Sequence, residues 1–189
     1  MKSSEKPKSY KILVAGHFGA GKTTFVRTLS QIPILETEKK TTLEEEKSKK
    51  SSTTVAMDFG EYITEEGMKI HVFGIPGQER FSFMWPILAR NTVGFIYMLD
   101  STDSSRWQEV FQQINLFRKI SPDAPFIFVA NKQDLPNAMS VEEIRKKLKL
   151  PENIKIVPCV ATDKEKVLSC LEELLKLVKE KFQNREKVS

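Results

Sequence analysis

The chain carries little cysteine. Cys159 and Cys170 are the only two in 189 residues, and their spacing fits neither a metal site nor a redox pair. Cys159 ends an apolar run and Cys170 lies in an amphipathic stretch, so both are expected as buried thiols in a reducing, cytoplasmic compartment. No apolar run approaches the ~20 residues needed to cross a bilayer. The start Met1-Lys2-Ser3-Ser4-Glu5 is not a signal peptide, and Lys2 stands where N-myristoylation requires glycine. The end Arg185-Glu186-Lys187-Val188-Ser189 offers no prenylation cysteine. We therefore expect no intrinsic membrane anchor, so that any membrane association needs a partner. No internal repeat is visible.

Charge excludes a further class. The net charge is +5, yet the lysines alternate with glutamates, as in Glu142-Glu143-Ile144-Arg145-Lys146-Lys147. That pattern marks a solvated helix face, and direct nucleic-acid binding is not expected. With 40% hydrophobic and 29% charged residues, the chain suits one domain with a full core. We place it at residues 10–183, between polar tails at 1–9 and 184–189.

What is present is concentrated in two motifs. The first, Gly16-His17-Phe18-Gly19-Ala20-Gly21-Lys22-Thr23, follows the apolar run Tyr10–Ala15 and leads into Thr24-Phe25-Val26-Arg27-Thr28-Leu29. Strand, glycine-rich turn and helix in that order, reading G-x-x-x-x-G-K-T, make a P-loop. Glycine lets the backbone wrap a phosphate chain with its N–H groups inward, and the helix N-terminus adds a favourable field. The phosphate cradle is assigned to Gly16, Gly19, Ala20, Gly21, Lys22, Thr23 and Thr24. Lys22 is expected on the β- and γ-phosphates, and the Thr23 hydroxyl on Mg²⁺.

The second motif selects the base. Ala124–Ala130 looks like a buried strand, and at its C-terminal end stand Asn131-Lys132-Gln133-Asp134. Ligands of open α/β sheets gather at that end. The Asp134 carboxylate can accept from the N1–H and the amine of guanine together; adenine would leave it unpaired. The Lys132 stem can lie on the base, and the Asn131 amide can tie this loop to the P-loop.

Together these motifs resemble those of a Ras-like small GTPase, over about residues 9–183. Thr53-Thr54-Val55-Ala56-Met57-Asp58-Phe59 resembles switch I, and Gly74-Ile75-Pro76-Gly77-Gln78-Glu79-Arg80-Phe81 resembles switch II. Cys159-Val160-Ala161-Thr162 stands where the last guanine loop belongs. The phrasing of switch II, and the Phe83-Met84-Trp85 after it, is similar to a prokaryotic branch described by likeness to the signal recognition particle receptor β-subunit and near the bacterial cell-polarity GTPases. The resemblance implies a GTP/GDP-binding switch that hydrolyses GTP slowly with Mg²⁺. The alternative it leaves open is a constitutively GTP-bound interaction subunit. It also implies roles: Thr54 as switch threonine on Mg²⁺ and the γ-phosphate, with Thr53, Thr41 and Thr42 as rivals; Gly77 N–H on the γ-phosphate; Gln78 orienting the attacking water; Ala161 and Thr162 at the base. Protein regulators or effectors would read switch I (36–54) and switch II (77–86).

Departures from the family pattern are informative. The family's strand-end aspartate, which holds a Mg²⁺-bound water, is replaced by Gly74, with Asp58 and Asp100 as compensating candidates; local capping is the plainer role for Asp58. Phe18 crowds the place of a partner's arginine finger, and no arginine lies between Gln31 and Thr54. Both point to slow intrinsic hydrolysis. His17 reads as loop packing. Of Phe81, Phe83, Met84, Trp85 and Pro86, about half are expected in the core and the rest on a partner surface.

The expected fold is a three-layer α/β P-loop sandwich, with a six-stranded, mostly parallel sheet and one antiparallel edge strand. Strands are expected at 10–16, 55–63, 68–75, 93–100, 124–130 and 154–159. Helices should start at Lys22, Ser104, Ser140 (with Glu143 as a capping box) and Asp163. The Ser104 helix should turn Trp107, Val110, Phe111, Ile114 and Phe117 inward. The Glu36–Thr54 segment has only Leu43 as an apolar residue, too few to order itself.

Overall fold

The computed structural model describes residues 9–36 and 57–188. The central strand β1 (Ser9–Gly16) explains the architecture. Ile12, Leu13, Val14 and Ala15 are all fully buried, as a strand covered on both faces requires. β1 lies parallel between β4 (Lys69–Gly74) and β5 (Thr92–Asp100). β6 (Phe126–Asn131) and β7 (Ile156–Pro158) extend the sheet in parallel beyond β5. On the other side β3 (Asp58–Ile63) runs antiparallel to β4, pairing Asp58 with Gly74.

The mostly parallel sheet with its antiparallel partner strand is as expected, with one addition. A two-residue strand, β2 (Leu35–Glu36), pairs antiparallel with the outer side of β3, giving the order β2-β3-β4-β1-β5-β6-β7. β3 is therefore covered where it was expected to be the edge, which satisfies part of its outward backbone.

Odd and even positions of the strands feed two separate cores. Ile12, Val14, Ile96, Met98 and Val129 face α1 (Lys22–Leu29) and α5 (Lys164–Val188), meeting Phe25, Val26, Leu171 and Leu174. Leu13, Ala15, Phe95, Tyr97 and Phe128 face α2 (Trp85–Ala89), α3 (Trp107–Ile120) and α4 (Val141–Leu148), meeting Trp85, Trp107, Phe117 and Ile144. Each fully buried large side chain contributes about 1.5–3 kcal/mol. Helices on both faces of the sheet complete the three layers.

Helix starts are set by local hydrogen bonds. Ser140 and Glu143 form the expected capping box, with Glu143 N–H donating to Ser140 Oγ at 3.2 Å and Ser140 N–H to Glu143 Oε2 at 2.7 Å. Asp163 caps α5 from outside, accepting from Glu165 N–H at 3.1 Å, so the helix proper begins at Lys164. α3 begins three residues later than Ser104. Asp103 Oδ1 accepts from Ser105 N–H at 2.9 Å, an Asx turn that competes with helix. Among the described residues no helix is long and apolar enough to cross a membrane.

Candidate functional site

β1 ends at Gly16, the glycine-rich turn follows, and α1 opens at Lys22, so the predicted loop stands at the carboxyl end of the sheet. Gly21 has φ 98°, and a β-carbon there would run into the Asn131 amide nitrogen. Only glycine fits that contact. Lys22 is 8% exposed, and its Nζ donates to Gly16 O at 3.1 Å and His17 O at 2.7 Å. The ammonium group is thus aimed along the loop.

Two buried side chains, one behind the loop and one within it, fix its shape. Gln113 of α3 is fully buried; its Oε1 accepts from Gly16 N–H at 2.9 Å and its Nε2 donates to Gly16 O at 3.1 Å. His17, 2% exposed, accepts the Asp100 N–H on Nε2 at 3.1 Å, and its Nδ1 lies 3.0 Å from Phe18 O. That pairing requires neutral imidazole with the proton on Nδ1. Burial lowers its pKa, with the Lys22 charge adding to it against opposing contacts from Phe18, Asp100 and Glu109. His17 is therefore a packing residue, as read from sequence. Gln113 was missed there. Its signal was a polar residue within the apolar stripe of α3, between Val110 and Ile114.

The second motif meets the first. Asn131, 2% exposed, donates from Nδ2 to Ala20 O at 2.9 Å and accepts the Ala161 N–H on Oδ1 at 2.9 Å. Donor and acceptor demands fix the amide orientation. Lys132 Nζ lies 2.7 Å from Asp100 Oδ2, and Thr102 donates to Asp100 Oδ1 from both N–H and hydroxyl. Burial works against Asp100 ionising, but the bonds from Lys132 and Thr102 outweigh it and hold its carboxyl below the usual range. Asp100, at the end of β5, is thus tied to the Asn131–Asp134 loop, and its carboxylate is engaged there by Lys132 and Thr102. Gln133 Nε2 donates to Ser101 Oγ and Met139 O, both at 2.8 Å. Asp134 and Thr162 are left exposed beside this framework, while Ala161 is buried.

The 74–81 segment approaches the P-loop closely at Gly77. A β-carbon on Gly77 would stand 2.7 Å from both Gly16 O and Lys22 Nζ, so this backbone approaches the P-loop as only glycine can. Gln78 Oε1 accepts from Arg80 Nε at 2.6 Å, and Arg80 lies 4.6 Å from the Phe81 ring. Met84 and Trp85 are buried, with Trp85 Nε1 donating to Pro76 O at 3.1 Å. Phe83 is 55% exposed, so the cluster divides as expected between core and surface. Phe18 is 54% exposed, with the Arg106 guanidinium 5.6 Å from its ring. Thr41, Thr42, Thr53 and Thr54 lie outside the described residues.

Asp58 does not simply cap its own strand. Thr23 Oγ1 donates to Asp58 Oδ2 at 2.6 Å, linking α1 to β3. A cavity of about 420 Å³ is lined by Phe18, Gly21, Lys22, Thr23, Asp58, Gly74, Gly77, Gln78 and Lys132, among others. Among the described residues no three His, Cys, Asp or Glu side chains group to hold a metal by themselves. The oxygen donors at Thr23 fit Mg²⁺, which takes few protein ligands and completes its shell with phosphate oxygens and water. A second cavity of about 470 Å³, lined by Asn91, Ser121, Asp123, Phe182 and Arg185 among others, contains none of the motif residues.

Comparison with known proteins agrees with this geometry. The ADP-ribosylation factor (Arf) family pattern matches residues 1–178. ADP-ribosylation factor-like protein 4C of Homo sapiens is 32% identical over 148 residues, covering 77% of this chain and 72% of that protein. ADP-ribosylation factor-like protein 1 of Saccharomyces cerevisiae is 30% identical over 179 residues, covering 92% and 90%. ADP-ribosylation factor-like protein 4A of Homo sapiens is 31% identical over 146 residues, covering 76% and 68%. The narrower likeness to the signal recognition particle receptor β-subunit and bacterial polarity GTPases finds no support in these matches and is corrected to Arf. The chain belongs to the ADP-ribosylation factor family and is a small GTPase, a GTP-binding molecular switch that hydrolyses GTP.

Proposed function

We propose that residues 10–183 form the GTPase domain and that the nucleotide lies along the carboxyl edge of the sheet. Its phosphates rest on Gly16, Gly19, Ala20, Gly21, Lys22, Thr23 and Thr24. Its base lies against Lys132, Asp134, Ala161 and Thr162. The observation that carries this reading is the Asn131 amide, which joins the P-loop at Ala20 O to the base loop at Ala161 N–H. Lys22 supplies charge to the phosphates, and the Gly77 N–H reaches the γ-phosphate. Thr23 and Thr54 hold Mg²⁺, which when bound neutralises charge on the phosphate oxygens. Gln78 orients the attacking water.

Intrinsic hydrolysis is slow in this reading. Gln78 Oε1 accepts from Arg80 and keeps one lone pair for water, so the Arg80 bond competes with the attacking water for its orientation. Phe18 occupies the approach to the phosphates beside the loop. Exposed Phe83 and Ile87 support a surface at and just beyond switch II, 77–86, that protein regulators or effectors read. Cys159 and Cys170 are buried free thiols, which supports the reducing cytoplasm as the compartment.

The test is base choice. GDP and GTP should bind far more tightly than ADP or ATP. Asp134→Asn should shift preference toward xanthine nucleotides, whose carbonyl can accept from an amide. Equal GTP and ATP affinity in competitive titration would remove the base assignment.

A further inference from the structure

We propose that Asp58 is the carboxylate of the metal site, delivered from β3 to the position that Gly74 leaves open on β4. The inference rests on the nucleotide and Mg²⁺ reading above and names the side chain that completes it. A P-loop NTPase holds Mg²⁺ with the loop's Ser or Thr hydroxyl and one strand-end carboxylate. β4, next to the P-loop strand, ends in Gly74 and supplies no carboxylate.

The register of β3 on β4 supplies it instead. Asp58 is the direct partner of Gly74 in this antiparallel pair. Partners across such a pair project to the same face, here the face that carries α1 and the phosphate loop. A β-carbon built on Gly74 would stand 3.3 Å from Asp58 Oδ2, 3.3 Å from Asp58 Cβ and 3.2 Å from Val26 Cγ2. The Asp58 carboxylate thus reaches the space where a side chain of residue 74 would begin. A glycine at 74 and an aspartate at 58 form one arrangement; two carboxylates there would crowd and repel each other.

The bond to Thr23 gives the carboxylate its function. A hydroxyl has one proton to donate and two lone pairs. With its proton committed to Asp58 Oδ2 at 2.6 Å, the Thr23 oxygen keeps its lone pairs for a cation. Asp58 fixes that orientation and adds negative charge to the cavity wall that already contains Lys22 and Gly77. It is a positioning group for the metal, and no bond from it to the ion is needed.

The experiment measures release of a fluorescent GDP from the full chain, in Mg²⁺ and after chelation with EDTA. In the wild type, chelation should accelerate release. Asp58→Asn should release GDP about 10–100-fold faster than wild type in Mg²⁺, the usual cost of losing a metal-positioning partner. Its rate in EDTA should match the wild type, an outcome that a merely structural role would not give. The swap Asp58→Ala with Gly74→Asp should restore slow, Mg²⁺-dependent release, and it carries the test if Asp58→Asn does not fold. Unchanged Mg²⁺ protection in Asp58→Asn, equal acceleration with and without Mg²⁺, or a swap that shows no Mg²⁺ protection overturns the proposal. A wild type that binds GDP but ignores EDTA also overturns it, while leaving guanine recognition intact. A wild type that binds no GDP overturns the parent reading.

Discussion

Replacing Gln113 by alanine should damage the phosphate loop from behind. The side chain is fully buried and makes two bonds, both to Gly16. Their loss is unequal. Gly16 O keeps Lys22 Nζ at 3.1 Å, so losing the Gln113 donor should cost only about 0.5–1.5 kcal/mol. Gly16 N–H loses its side-chain acceptor in a buried place, at about 1–3 kcal/mol. Together they predict a loss of about 1.5–4.5 kcal/mol, or a Tm lower by roughly 3–18 °C at this chain length. Thermal unfolding at fixed GDP concentration measures it, because bound nucleotide itself raises Tm. GDP affinity should fall as well, since the loop is less preorganised. Gln113→Glu sharpens the test. It keeps an acceptor for Gly16 N–H but opposes Gly16 O with another oxygen, so its stability should recover as pH falls and a protonated carboxyl restores the donor. The neighbouring Gln112 is exposed, and Gln112→Ala is the control. A loss in Gln113→Ala no larger than about 0.5 kcal/mol, the scale of a surface change, would refute the reasoning.

Acidification should destabilise the protein through His17. Its folded pKa is lowered by burial below the ordinary 6.5, so its contribution is present above that pH and is lost as pH falls toward the folded value; His17→Gln should flatten this part of a urea-midpoint profile. Trp85 is bonded to Pro76 of switch II, so exchanging GDP for a non-hydrolysable GTP analogue should change its emission in a Trp107→Phe background, and identical spectra would favour the constitutively loaded alternative. Single-turnover hydrolysis should run at roughly 10⁻⁴ to 10⁻³ per second and fall further in Gln78→Leu, whereas an unassisted rate near one per second would contradict the slow-switch reading.

The sequence revealed most where local chemistry decides. The P-loop phrase needed only its glycines, lysine and flanking strand and helix to be recognised. The Ser140–Glu143 cap was visible because both partners lie within one turn. Contacts across the fold were harder. Gln113 and Gly16 are 97 positions apart, and nothing in α3's periodicity says where a buried amide points. Asp58 was visible as a candidate, but its bond to Thr23 depends on the register of β3 against β4, which strand patterning does not fix at the level of one residue. Asp100 looked equally suitable by position until the fold paired it with Lys132. β2 was missed because two residues carry no detectable period.

The Asn131 carboxamide has a mechanical consequence. It grips Ala20 with one edge and Ala161 with the other, and the amide is a rigid plane. In the proposed placement of the nucleotide, the loops at its two ends are therefore tied through this one amide. Affinity lost at the base end and affinity lost at the phosphate end will not add as independent quantities. A protein that pried the Ala161 loop outward would slacken the phosphate loop without touching it, and would expel nucleotide by leverage from the far side of the pocket.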